Sequence, residues 1–137
     1  MIHAIDSTNA ELLHTAAEVF RGAPPDDSFV ADPGSVAFVA EVGGEILGWC
    51  WGYVLPRPDG QSMMLIYDLE VRPESRRQGI GRGLVTAMLE TARERGASKA
   101  WLTTAHDNSP ARALYSHLGG QPALHGESAE YWWDLSN

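Results

Sequence analysis

The sequence predicts a single α/β domain over residues 1–137, with a mixed central sheet of about six to seven strands flanked by helices. Three observations favour this class. The chain has 137 residues, of which 44% are hydrophobic, enough for one core without a disulfide or a metal. Three strand-like runs follow one another in the middle of the chain. Helices and strands then alternate towards the C-terminal end, an order typical of a layered α/β domain.

The first part of the chain is predicted to form a short strand, a helix, a loop and three consecutive strands. Apolar residues recur at helical spacing over residues 7–21, where Ser7 or Thr8 is suited to cap the helix. Proline, glycine and aspartate predict an irregular acidic loop over residues 23–35. Two glycine-containing turns then separate the strands of an antiparallel meander, which are predicted over residues 36–42, 45–55 and 63–71.

The second part is predicted to contain two helices and two strands. Apolar residues recur at helical period over residues 79–95, and Gly96 is suited to close that helix. A short strand over residues 100–104 precedes a helix over residues 109–118, which has a proline in its first turn. A run rich in aromatic residues predicts a final strand over residues 129–135.

Composition and charge restrict the class of function. The net charge of −8 argues against nucleic-acid binding, which requires a basic face. No apolar run approaches the ~20 residues of a membrane-spanning helix, and the first residues lack the features of a secretion signal, so we expect a cytoplasmic protein with no membrane partner. The histidines are dispersed, which predicts no metal site. The single cysteine, Cys50, is expected to pack in the core.

One short segment differs in charge from the acidic remainder of the chain. Residues 72–82 contain four arginines and one glutamate, and glycines stand at positions 79, 81 and 83 where a helix is predicted to begin. Free backbone N–H groups at a helix N-terminus, aided by the helix dipole, bind phosphates. The segment lacks the features of a Walker loop or a Rossmann fingerprint. It therefore predicts a site for some other phosphorylated cofactor.

Two motifs resemble those of the GNAT superfamily of N-acetyltransferases. The run Arg76-Arg77-Gln78-Gly79-Ile80-Gly81 is similar to the R/Q-x-x-G-x-G/A motif by which these enzymes hold the pyrophosphate of acetyl-CoA. Further along, residues 108–119 match the family pattern N-x-x-A-x-x-L-Y-x-x-x-G. Gly120 is a departure, because relatives usually have an aromatic residue after the glycine. The resemblance implies the GNAT fold, with acetyl-CoA as co-substrate.

The same resemblance implies roles for individual residues. The backbone groups of Leu69 and Val71 would contact the pantetheine and the acetyl carbonyl, and Asn108 would contact the pantetheine arm. The Tyr115 hydroxyl would lie near the thioester sulfur and donate a proton to the departing thiolate, which suits a phenol with a reference pKa near ~10. The pyrophosphate would be bound by the arginine-rich segment, which comprises Arg76, Arg77, Gln78, Gly79, Ile80, Gly81 and Arg82.

The acceptor amine must lose a proton before it attacks a thioester, so we expect a carboxylate near the acetyl group. Asp68 and Glu70 lie on the last strand of the meander, and their side chains share one face if that strand is regular. GNAT proteins often have a bulge there, which would change the parity. Asp68 is the favoured base, and Glu70 is the alternative base or a substrate anchor.

A closer resemblance concerns the acceptor. Residues 53–56 (Y-V-L-P), 66–71 and 76–80 resemble segments of type I aminoglycoside 3-N-acetyltransferases. This implies an aminoglycoside or another small cationic amine as the acceptor, attacked directly in a ternary complex, and antibiotic resistance as the biological role. The acidic charge suits a polyamine or a protein amine as well. A catalytically silent module that binds acyl-CoA is the alternative from a different class.

The C-terminal aromatic run also predicts an interaction surface. Trp132 and Trp133 are adjacent, so they would face opposite sides of a strand. One of them would then be free to line a pocket or a homodimer contact.

Overall fold

The computed structural model describes residues 1–122 and 131–136. Within these residues, five strands form one sheet in the order β1-β2-β3-β4-β5. Neighbouring strands are antiparallel except for β4 and β5, which are parallel, so the sheet is mixed as predicted. The elements in chain order are β1 (Ile2–Ala4), α1 (Ala10–Arg21), α2 (Ser28–Ala31), β2 (Ser35–Val42), β3 (Glu45–Pro56), β4 (Ser62–Val71), α3 (Ile80–Glu94), β5 (Lys99–Trp101) and α4 (Ser109–His117).

Helices cover both faces of the sheet. On one face, Leu84 and Met88 of α3 are fully buried among side chains of β2, β3 and β4, which confirms the apolar face predicted for this helix. On the other face, Leu13 and Ala16 of α1 pack against β2 and β3, where Trp49 is almost fully buried. Each large apolar side chain buried in this way stabilises the fold by about 1.5–3 kcal/mol.

Helix α1 begins later than the sequence predicts, and its cap is a different residue. The residue before its first turn is Asn9, not Ser7 or Thr8. The Asn9 side chain accepts a hydrogen bond from the Asp6 backbone N–H at 2.8 Å and donates one to the Ala4 carbonyl at 2.9 Å. Asn9 therefore joins the end of β1 to the start of α1, a connection that helical spacing alone does not predict.

The prediction of six to seven strands is wrong for the described residues, which contain five. Residues 131–136 form no strand, and the rest of the predicted final strand lies outside the described residues. A strand needs a hydrogen-bonding neighbour, and the large apolar side chains here are 74% to 89% exposed instead of facing a sheet: Tyr131, Trp132, Trp133 and Leu135. The strand parity that assigned one tryptophan to a pocket or a homodimer contact therefore does not apply.

The acidic segment over residues 23–35 is not wholly irregular, because it contains the one-turn helix α2. This segment meets α1 where the His14 Nε2 atom lies 3.0 Å from Asp27 Oδ1. Phe29 of α2 makes edge contacts with the rings of Trp51 and Tyr53 on β3. The packing of Phe29 against these rings therefore holds the segment beside the sheet.

Strand β4 contains a β-bulge opposite Gly52. Trp51 pairs with Asp68 and Gly52 pairs with Ile66, so Tyr67 has no partner on β3. A Cβ atom on residue 52 would lie 1.9 Å from the Leu65 carbonyl oxygen, far closer than atoms in contact allow. Only glycine therefore fits opposite the bulge in this backbone.

The bulge also marks the point where β4 and β5 separate. The parallel pairing runs from Met63 opposite Lys99 to Leu65 opposite Trp101 and stops there. β5 consequently ends at Trp101 and does not extend over the predicted residues 102–104. Beyond this point the two strands diverge and leave a gap at their carboxyl ends.

Candidate active site

A cleft of about 190 Å³ lies between the diverging ends of β4 and β5. Helix α4 and the segment that leads to it close its far side. The cleft brings together four residues that the sequence singled out, namely Asp68, Leu69, Asn108 and Tyr115. Its lining residues are Ile66, Tyr67, Asp68, Leu69, Leu102, Thr103, Thr104, Asn108, Ala111 and Tyr115.

The backbone of β4 has hydrogen-bonding groups on the side that β5 leaves free. The Arg72 N–H donates to the Leu47 carbonyl of the β3 strand at 2.9 Å. Since backbone groups alternate in direction along a strand, those of Leu69 and Val71 point away from β3. In agreement, the Val71 carbonyl accepts a hydrogen bond from the Arg76 guanidinium at 3.2 Å.

The arginine-rich segment leads into the N-terminus of α3. Gly79, with φ of 79°, precedes the first helical residue and provides no side-chain cap. The first helical hydrogen bond joins the Gly83 N–H to the Gly79 carbonyl at 3.0 Å, so the N–H groups of residues 80–82 have no acceptor within the helix. Ile80 contributes its backbone only, because its side chain is buried in the core.

Arg77 has an unusual backbone conformation within this segment. Its φ is 64°, the only positive value at a residue other than glycine in the described part of the chain. Such a conformation costs free energy in an L-residue. Its side chain is exposed, as are those of Arg76, Gln78 and Arg82. The segment therefore exposes three guanidinium groups near unpaired N–H groups, which together suit a multiply charged anion.

The two candidate carboxylates share one face of β4, as the sequence predicts for a regular spacing. Arg21, at the end of α1, forms ion pairs with both: Nη2 with Asp68 Oδ2, and Nη1 with Glu70 Oε2 at 3.0 Å. The Asp68 side chain is 16% exposed and the Glu70 side chain 37%. Sequence reasoning missed Arg21, because no local motif connects the end of the first helix with a strand so far along the chain.

Burial changes the acid–base properties of the cleft. Desolvation raises the pKa of Asp68, and the neighbouring Glu70 raises it further, while the Arg21 guanidinium acts in the opposite direction. Desolvation also raises the pKa of the Tyr115 phenol, to which Cys50 and Asp68 add smaller contributions. Asp68 is therefore a better proton acceptor than an exposed aspartate, and Tyr115 keeps its proton at neutral pH.

An aromatic wall borders the carboxylates on the same face of the sheet. Trp49, Trp51 and Tyr53 alternate along β3, and successive rings meet edge to face with centroids 6.0 Å apart. Tyr67, the unpaired residue of the bulge, stacks on Trp51 at 4.8 Å and is 65% exposed. Trp49 and Trp51 thus pack within this wall, whereas Tyr67 faces the solvent beside Asp68.

Two local features hold α4 and Tyr115 in place. The Asn108 side-chain oxygen accepts a hydrogen bond from the Ala111 N–H at 3.3 Å and caps the helix. The Gly120 N–H donates to the Tyr115 carbonyl at 2.8 Å, and a Cβ on residue 120 would lie 2.8 Å from that same oxygen. The glycine that replaces the usual aromatic residue therefore allows a close turn behind Tyr115.

Over residues 1–122 and 131–136, no three side chains among His, Cys, Asp and Glu come close enough together to hold a metal ion. No helix in this part of the chain is long and apolar enough to cross a membrane.

Comparisons with known proteins agree on the family. Residues 6–119 match the model of the acetyltransferase (GNAT) family. The chain is 35% identical over 102 residues to N-acetyltransferase 8 of Rattus norvegicus, a match that covers 74% of this chain and 45% of that relative. The chain therefore spans less than half the length of this relative.

Solved structures show the same fold over nearly the whole chain. An aminoglycoside acetyltransferase from an uncultured soil metagenomic sample is 27% identical with a TM-score of 0.81, and the match covers 99% of this chain and 98% of that chain. AAC(6′)-Iy in complex with the bisubstrate analogue CoA-S-monomethyl-acetylneamine is 16% identical with a TM-score of 0.76 and covers 99% and 98%. Because this neighbour is an AAC(6′) enzyme, the comparisons do not assign the 3-N position.

The match to the family model includes both sequence motifs, the arginine-rich segment and the run from Asn108 to Gly119. Members of this family use acetyl-CoA as the acetyl donor. The chain belongs to the GNAT family of acetyl-CoA-dependent N-acetyltransferases.

Proposed function

We propose that this chain transfers an acetyl group from acetyl-CoA to a primary amine of a small cationic acceptor, by direct attack in a ternary complex. The observation that carries the proposal is the presence of Asp68 and Tyr115 in one cleft. One is a carboxylate that can take a proton from the amine, and the other is a phenol that can give one to a leaving thiolate. Asp68 and Tyr115 both line the cleft between the diverging ends of β4 and β5.

The charge of the arginine-rich segment and the backbone groups of β4 support acetyl-CoA as the donor. The free N–H groups of residues 80–82 and the exposed guanidinium groups of Arg77 and Arg82 suit the pyrophosphate. The outward-facing backbone groups of Leu69 and Val71 suit the amides of the pantetheine, which would lie along the cleft between β4 and β5. When bound, acetyl-CoA supplies an acetyl group activated as a thioester.

The two strand carboxylates have different environments, and this favours different roles. Asp68 lines the cleft, is more buried than Glu70 and has a raised pKa. We assign it as the base that deprotonates the acceptor ammonium. Glu70 lies outside the cleft lining and is more exposed, which suits an anchor for a second positive group of the acceptor.

Tyr115→Phe is expected to lower kcat by about 10²-fold, because a general acid contributes at least that much, and to leave the affinity for acetyl-CoA nearly unchanged. Steady-state kinetics and calorimetry with acetyl-CoA measure the two effects. Tyr131→Phe, which alters an exposed ring, is the matched control. An unchanged kcat in Tyr115→Phe would exclude the acid role.

Arg82→Gln is expected to weaken CoA binding about 10-fold, or about 1.4 kcal/mol, because it removes a positive charge beside the pyrophosphate. Arg93→Gln at the other end of α3 is the matched control. A truncated donor, S-acetyl-N-acetylcysteamine, lacks the pyrophosphate, so its KM should be the same in both variants and the wild type. Equal CoA affinity in Arg82→Gln and the wild type would remove this arginine from the site.

The acceptor class is tested with a panel of aminoglycosides, polyamines and peptide N-termini, by detecting the CoA thiol released. We propose an aminoglycoside as the first candidate, supported by the likeness at residues 53–56 and by the names of the structural neighbours. Within that class the same likeness favours the 3-amino group, which product analysis by NMR would identify. Tight acetyl-CoA binding without turnover on any member of the panel would refute the proposed acceptor class.

A further inference from the structure

Arg21 joins the two carboxylates of the proposed acceptor site. Its guanidinium forms ion pairs with Asp68 and Glu70 through different nitrogens, and Nη1 also donates to the Phe20 carbonyl at 3.2 Å. Its Cζ lies 5.8 Å from the centre of the Trp49 ring, within the range of a cation–π contact. The guanidinium is thus held in place by four groups from its own helix and two strands.

The position of Arg21 is also the position that a cationic acceptor would take. Asp68 lines the cleft, and beside it the Arg21 side chain is 46% exposed to solvent. An ammonium group that approaches Asp68 from this side meets a guanidinium of like charge. Together the two carboxylates and the guanidinium leave a single net negative charge, so the site attracts a cation less strongly than the carboxylates alone would.

We propose that Arg21 is an internal competitor of the acceptor, which must displace its guanidinium from Asp68 and Glu70 in order to bind. The proposal rests on the proposed function and specifies its acceptor class further. An acceptor with one ammonium group replaces only one of the two ion pairs, whereas an acceptor with two neighbouring ammonium groups replaces both. Arg21 therefore favours acceptors with at least two positive charges and acts as a specificity-determining residue.

Partial exposure allows the displacement. The Arg21 side chain keeps nearly half of its surface in water while its guanidinium is paired, so a cation that binds in place of the guanidinium can release it into solvent. The Arg21 side chain lies at the last residue of α1, beside Gly22 with φ of 61°. Rotation of this long side chain about its own bonds moves the charge away without any change in the sheet.

The decisive experiment compares the wild type with Arg21→Gln, using the most active aminoglycoside or polyamine from the panel. The variant is expected to lower the KM for that acceptor about 10-fold and to leave the KM for acetyl-CoA unchanged. Arg21→Met, whose unbranched stem still packs against Trp49, should behave in the same way and serves if the glutamine variant does not fold. Arg57→Gln removes a charge from an ion pair in the β3–β4 turn and should match the wild type.

Two further readouts separate this role from a structural one. The groups that face Asp68 are the charged Arg21 and Glu70 and the neutral Cys50 and Tyr115. Loss of the guanidinium removes a positive neighbour, so the acid limb of the kcat/KM profile should move to higher pH in Arg21→Gln. In the wild type, 1,3-diaminopropane should have a kcat/KM at least about 10-fold above that of propylamine.

The outcomes distinguish this inference from the proposed function. No turnover of any cationic acceptor by the wild type would refute the function itself. Turnover with an acceptor KM that is unchanged or raised in both neutral variants would refute the role of Arg21 and leave the function standing. An equal kcat/KM for the diamine and the monoamine would refute the requirement for two charges.

Discussion

Asp68→Asn is expected to lower kcat/KM for the acceptor by about 10²- to 10⁴-fold, the range typical of a lost general base. Asparagine has nearly the same shape as aspartate and still accepts hydrogen bonds, but it cannot take a proton from the acceptor ammonium. The loss corresponds to about 3–5 kcal/mol of transition-state stabilisation. Initial rates of CoA thiol release, measured at saturating acetyl-CoA, give this number directly.

Glu70→Gln is the matched control for this prediction. Glu70 shares Arg21 with Asp68 but does not line the cleft, so its loss should change the acceptor KM and leave kcat within about 10-fold of the wild type. The wild-type kcat/KM should fall as the pH falls through the raised pKa of Asp68, because the protonated acid cannot act as a base. A large loss in Glu70→Gln, with Asp68→Asn unaffected, would reverse the assignment of the base.

Gly52→Ala is expected to lower the free energy of unfolding by about 3 kcal/mol, the upper part of the range for an overpacked site. The added methyl group would overlap the Leu65 carbonyl oxygen, so the backbone of β3 or β4 must move. Such a shift acts on the bulge, and with it on the positions of Tyr67 and Asp68. Chemical denaturation measures the loss of stability, and activity should fall with it.

Gly83→Ala provides the comparison for Gly52→Ala. A Cβ on residue 83 meets only the Cδ1 atom at the end of the Ile2 side chain, at 2.6 Å, and that side chain can rotate. Alanine is also the better residue inside a helix by about 1 kcal/mol. This variant should stay within about 1 kcal/mol of the wild type, whereas equal stability of both variants would contradict the role given to Gly52.

Much of the fold could be predicted because its elements carry strong local patterns. The apolar period of α3 and the turns of the β2–β4 meander depend on neighbouring residues only. Edge elements are harder to predict, since they depend on a partner strand that the local sequence does not specify. Residues 131–136 have the aromatic content of a strand, yet in the described structure they have no neighbouring strand to pair with.

The candidate site likewise contains residues that local motifs reveal and residues whose roles depend on distant parts of the chain. Asn108, Tyr115 and the arginine-rich segment could be located from motifs, because close spacing along the chain also means close position in space. Arg21 and Gly52 could not, because their roles arise from contacts between distant segments. The family resemblance predicts a bulge on this strand only as a general feature, whereas its register opposite Gly52 and the exposure of Tyr67 follow from the three-dimensional structure.

The buried thiol of Cys50 has a practical consequence for all these measurements. It is the single cysteine of the chain, it is fully buried behind the cleft, and desolvation, with a contribution from Asp68, raises its pKa to about 12. Because only the thiolate reacts readily with disulfide reagents, Cys50 of the folded enzyme should not react with them. A chromogenic thiol assay of this protein therefore reports only the CoA thiol that the reaction releases. A slow rise in absorbance in a sample that contains enzyme alone would measure the fraction of unfolded molecules.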